Sequence, residues 1–145
     1  MAHVRKTAIV PFSDQQMFDL VRDVNRYKEF LPWCADSALL SEEGNRICGR
    51  IDVERMGIRQ SFSTCNDCDE PRRMDIELME GPFRSLTGAW EFMALREDAS
   101  KVILTLEFEF SGRLISAAFG TVFSHLANNL VDAFCKRARE IYGDG

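Results

Sequence analysis

Long apolar runs are missing from this chain of 145 residues. A bilayer-spanning helix needs about 18 or more consecutive apolar residues, and no such stretch occurs. Met1-Ala2-His3-Val4-Arg5-Lys6 has no apolar core of the signal-peptide kind and reads as the start of a strand, so a cytoplasmic protein is expected. Basic excess is missing too. Lys and Arg number 18 against 23 Asp and Glu, a net charge of −5, which argues against a general nucleic-acid binder and leaves DNA out as a partner.

Histidine is scarce. His3 and His125 are the two in the chain, and neither has ligand spacing to Cys65-Asn66-Asp67-Cys68, so that C-x-x-C pair lacks the second half of a zinc site. Positions three apart on a strand point to opposite faces, and the pair reads as structural or incidental. No metal is expected. The five cysteines, an odd number, read as reduced thiols serving as small core residues. Glycine-rich phosphate loops, G-x-S-x-G elbows and H-E-x-x-H helices are absent. His125 lies on a polar helix side with Asn128 and Asn129, and Glu107 and Glu109 alternate outward on a strand. Catalytic residues, and a cofactor, are therefore not expected.

The strongest positive signal is C-terminal. From Ser111 to Tyr142, Leu114, Ile115, Phe119, Val122, Phe123, Leu126, Leu130, Ala133, Phe134, Ala138 and Ile141 recur at steps of three and four. That spacing predicts one helix of roughly 45 Å with a broad apolar face. Thr121, His125, Asn128, Asp132, Lys136 and Arg139 mark its wet side. Such a helix needs a wide apolar surface to lie on.

Strands supply it. His3–Val10 is β-branched and ends at Pro11. Ser13 and Gln16 then form a capping box, with Phe12 and Met17 spaced for a staple, which predicts a first helix. Asn25–Phe30 reads as a second short turn of helix, ended by Leu31-Pro32. From Ala35 the period is two. Ile47, Ile51 and Val53 share one face against Arg50, Asp52 and Glu54 on the other. Phe62 faces in while Arg59, Ser61 and Ser63 face out. Met74, Ile76 and Leu78, then Leu86, Trp90 and Phe92, then Val102, Leu104, Leu106, Phe108 and Phe110 continue the inward set. Clean alternation between short turns predicts an antiparallel meander with one face covered. The fold class is α+β: a curved sheet of about seven strands around the long helix, in one domain spanning 1–145. Such a grip tends to leave space at one end for a greasy ligand, although eleven phenylalanines could equally fill it.

Two further stretches stand out. Tyr27–Cys34 gathers Tyr27, Phe30, Leu31 and Trp33 around Pro32. In the segment from Gly81 to Phe92, Gly88 suggests a bend or a close approach. With these, "MFDLVRDVNRYKEFLPWC", "GPFRSLTGAWEF" and "VDAFCKRAREIYG" resemble, in order, the coenzyme Q-binding family of the START-like (polyketide cyclase) superfamily. The resemblance spans nearly the whole chain. It implies a helix-grip fold with an elongated apolar tunnel, and binding of ubiquinone or another polyisoprenoid or lipid in support of respiration. One branch, the RatA-type ribosome association toxins, implies instead binding to the large ribosomal subunit, which blocks subunit association.

On that basis the expected ligand contacts are Phe119, Val122, Phe123 and Leu126 from the helix, and Val53, Phe62, Leu78, Trp90, Leu104 and Leu106 from the sheet. Phe30, Leu31 and Trp33 are expected at the mouth, where they could touch the inner membrane peripherally. Arg84 is the candidate for a quinone headgroup. Lys136, Arg137 and Arg139 are the candidate ribosome contact. An enzyme on the same grip would need converging polar groups, and the inward positions read as nearly all apolar.

Overall fold

Ser13 starts the first helix as its side chain predicts. Its Oγ accepts from the Gln16 N–H at 3.1 Å, and Gln16 Oε1 accepts from the Ser13 N–H at 2.9 Å, which satisfies two N–H groups near the helix start. The computed structural model describes residues 2–111 and 117–143. In order the elements are β1 (Ala2–Val10), α1 (Asp14–Arg22), a 3-10 turn (Val24–Arg26), α2 (Tyr27–Phe30), β2 (Cys34–Glu43), β3 (Arg46–Arg55), β4 (Ile58–Asp69), β5 (Arg73–Glu80), β6 (Phe83–Arg96), β7 (Ala99–Phe110) and α3 (Ala117–Tyr142).

The strands form one antiparallel sheet in the order β1-β7-β6-β5-β4-β3-β2. It is a meander from β2 to β7, with β1 closing against β7. Inward alternation aligns apolar residues across strands: Cys68, Met74, Trp90 and Leu104 are successive register partners from β4 to β7. Helix α3 lies across this concave face. Phe119, Val122, Phe123, Leu126, Phe134 and Ala138 are buried as their spacing predicts, and Ala127, Val131 and Cys135 widen the stripe. The expected helix was longer. Ser111 is not helical, Leu114 and Ile115 lie outside the described residues, and Ile141 is exposed at the far end.

Three local expectations change or sharpen. Asp52 faces outward yet is only 8% exposed. Ser61 Oγ donates to it at 2.7 Å, Arg50 Nε at 3.2 Å, and Arg59 covers it, so hydrogen bonds accompany its removal from water. The cysteines are not all reduced: Cys48 and Cys65 are bonded. They are register partners on the outer face of β3 and β4 with Cα atoms 4.0 Å apart, a proximity that only the register reveals. Cys34, Cys68 and Cys135 are free and buried. Gly88 is the close approach that its place in a strand suggests, since a Cβ there would stand 2.1 Å from the Thr105 carbonyl oxygen of β7.

Two outcomes follow. Unfolded without reductant, the chain should titrate three thiols, and five after reduction; five in both would show that the Cys48–Cys65 bond does not form. Gly88→Ala must push β6 from β7 and should lower stability by about 1–3 kcal/mol in urea denaturation. An unchanged midpoint would contradict the close packing.

Candidate functional site

Rings fill the two ends of the space between α3 and the sheet. Toward the start of α3, Phe83 and Phe123 lie 4.8 Å apart, Phe108 and Phe123 4.9 Å, and Phe110 and Phe119 5.7 Å. Farther along, Phe134 packs edge-on against Tyr27, Phe30 and Trp90, with centroids 5.2–5.3 Å away. Such contacts are worth about 0.5–1.5 kcal/mol each beyond area burial, so neither end is loose.

Between the ends a cavity of about 90 Å³ remains. Of the expected contacts, Trp33, Phe62, Trp90, Leu104, Leu106, Phe123 and Leu126 line it. Phe30, Leu31, Val53, Leu78, Arg84, Phe119 and Val122 do not, for different reasons. Phe119 is spent in the ring cluster, and Val53, Val122 and Leu31 are core. Leu78 is half-buried against the core. Arg84, its side chain 68% exposed, stands 3.6 Å from Glu109 instead. Phe30 lies under the Arg137 guanidinium, 5.0 Å from it.

Of Phe30, Leu31 and Trp33, expected at the mouth, Trp33 alone lines the cavity. Arg22, Val24, Leu39 and Ile47 line both the cavity and an adjoining surface depression, so they stand between the interior and solvent. Val24 closes over Gly49, where a Cβ would meet its methyls at 3.1 and 3.2 Å. Arg22, at the end of α1, is hydrogen-bonded to Glu42 of β2, which ties the helix across this wall.

The cavity wall is less uniformly apolar than alternation suggested. Thr64 and Asn66 of β4 line it together with Gly49 and Ile76, and Asn66 Oδ1 is buried with no hydrogen-bond partner. An orphaned acceptor of this kind costs about 1–3 kcal/mol. The signal was available: with Phe62 inward, period two carries 64, 66 and 68 inward as well. Tyr27 also reaches the cavity, but its hydroxyl donates to the Val21 carbonyl and burial raises its pKa. Among the described residues that line the cavity there is no His, Asp or Glu, and His125 is exposed on α3. Among the described residues no group of His, Cys, Asp and Glu could hold a metal, and no helix is long and apolar enough to cross a membrane.

The basic cluster is divided. Arg137 is folded inward, its side chain 18% exposed, with Glu29 at 2.8 Å and Phe30 beneath. Lys136 and Arg139 are exposed.

Beside the cavity, burial pushes the Cys34 thiol up to about 11 from an ordinary 9.0. Between these values the unfolded chain releases a proton that the folded chain keeps, so the thiol's contribution to stability is complete below about pH 9 and is lost as pH rises through about 11. The stability difference between wild type and Cys34→Ala should therefore shrink across that window in denaturant titrations. A difference that stays level would show that the thiol is not shielded.

Residues 10–135 match the family described as polyketide cyclase / dehydrase and lipid transport. The chain is 44% identical over 144 residues to the ribosome association toxin RatA of Vibrio cholerae, covering 99% of this chain and 100% of that one. It is 28% identical over 142 residues to the mitochondrial coenzyme Q-binding protein COQ10 homolog B of Xenopus laevis, covering 95% of this chain and 58% of that one. In fold it is similar to the crystal structure of the Zhui aromatase/cyclase from Streptomyces sp. R1128, with a TM-score of 0.80 at 19% identity, covering 97% and 95% of the two chains.

Proposed function

The chain belongs to the polyketide cyclase / dehydrase and lipid transport family, and from that premise we propose that it acts by binding an apolar ligand, ubiquinone or another polyisoprenoid lipid, without catalysing its conversion. The observation that carries this is the apolar cavity between α3 and the sheet. Among the described residues the wall offers no carboxylate or imidazole to move a proton, which favours a carrier over a cyclase.

A volume of about 90 Å³ is below the roughly 300 Å³ at which ligand pockets usually begin. It admits a group of a few carbons, the scale of one isoprene unit. At about 0.8 kcal/mol per buried carbon, five carbons give about 4 kcal/mol, which alone is millimolar affinity. A longer ligand enters only as Val24 and Leu39 part, leaving the rest of its chain near the exposed Leu39 and Leu40. Organic extraction of protein purified from its native host, followed by mass spectrometry, should recover a stoichiometric quinone or isoprenoid lipid. Protein that carries none, and takes up none from vesicles containing ubiquinone, would overturn the proposal.

A second reading is favoured by a specific observation: full-length identity of 44% and 40% to proteins named as ribosome association toxins. In this reading the outer surface docks on the large ribosomal subunit, and of the expected cations the exposed Lys136 and Arg139 are the ones that face a partner. Reversing both charges should weaken co-sedimentation with large subunits several-fold at moderate salt. Absence of co-sedimentation by the wild-type protein would remove this reading and leave the first untouched.

A further inference from the structure

We propose that Asn66 is the recognition point of the cavity, and that it selects a neutral apolar ligand carrying a hydroxyl. This deepens the apolar-ligand reading and rests on it. Asn66 sits mid-strand on the inner face of β4, with Ile47 of β3 and Ile76 of β5 as its register partners. Both neighbours line the cavity with it. An amide among isoleucines contributes nothing to packing that a leucine of similar shape would not. Its Oδ1 is buried with no hydrogen-bond partner, and the residue that carries it lines the cavity. A carboxamide oxygen accepts hydrogen bonds, so the group that completes it is a donor, which in an uncharged isoprenoid lipid is an O–H.

The other polar groups of the wall narrow the choice. The Tyr27 hydroxyl is committed to the Val21 carbonyl. The Arg22 guanidinium is held by Glu42, so its charge is already answered and an anionic head finds no open cation. A fatty-acid carboxylate would also meet the Asn66 oxygen acceptor to acceptor. What suits the site is a short branched hydrocarbon unit ending in a hydroxyl, as in an isoprenoid alcohol, with its carbons against Trp90, Leu106 and Phe123.

Prenol, the hydrocarbon that lacks its hydroxyl, and the corresponding carboxylate serve as probes, titrated by NMR into wild type and Asn66→Leu. In wild type, prenol should bind and the carboxylate should bind more weakly. Asn66→Leu should raise the Kd for prenol at least about tenfold, because the hydroxyl is then buried unpaired, and should leave the hydrocarbon unchanged or tighter. The variant should also melt at a higher temperature than wild type when empty. Equal effects on prenol and hydrocarbon, or a carboxylate that binds wild type better than prenol, would overturn the assignment while leaving the apolar-ligand reading standing. If wild type takes up none of the probes, the underlying reading fails and this one with it. Should Asn66→Leu not fold, Asn66→Ala reads the same ratio of prenol to hydrocarbon.

Discussion

Phe123 of α3 meets Phe62, Phe83 and Phe108, from three different strands, at 5.8, 4.8 and 4.9 Å between ring centroids. That seam seats the helix in the hollow of the sheet. At the other end Phe134 does the same against Trp90 and the α2 rings, and the Tyr142 hydroxyl donates to the Gln16 carbonyl of α1 at 3.1 Å. Between these two seams α3 presents Leu126 and Leu130 rather than rings, and the cavity lies against them.

Polarity inside that gap has a thermodynamic sign. Most of the wall is hydrocarbon, and Thr64 and Asn66 could have been Val and Leu without changing the pattern of the strand. Leaving Asn66 Oδ1 unpaired lowers the stability of the empty protein, while it makes the interior discriminate between ligands of equal size. By contrast, Asp52 on the outer face is fully engaged by Ser61, Arg50 and Arg59. The carboxylate of Asp52 is satisfied by the fold, whereas the buried Oδ1 of Asn66 is not.

Much of this was legible in residue order. The capping box at Ser13 and Gln16, the inward sets of β6 and β7, the close approach at Gly88 and the buried face of α3 all follow from local chemistry or from period. Period two from Phe62 carries Thr64 and Asn66 inward as well, although the inward positions were expected to be nearly all apolar. What could not be read is whatever depends on register between strands. Cys48 and Cys65 become neighbours only once β3 and β4 are aligned. Arg137 looks like part of a basic cluster along the chain, but Glu29 and Phe30, brought up by α2, turn it inward. Phe119 and Val122 have the right spacing for a cavity wall, yet Phe119 is taken by Phe83 and Phe110.

Trp33 and Trp90, the two tryptophans of the chain, are 7% and 4% exposed and both line the cavity, so their emission reports on the gap from within. Quenching by acrylamide and by a small brominated branched hydrocarbon, compared on the folded protein, measures whether apolar matter enters where water does not. Weak quenching by acrylamide and strong, saturable quenching by the bromide is the result this account predicts. Resistance to both would mean that α3 and the sheet are closed on each other, and would contradict it.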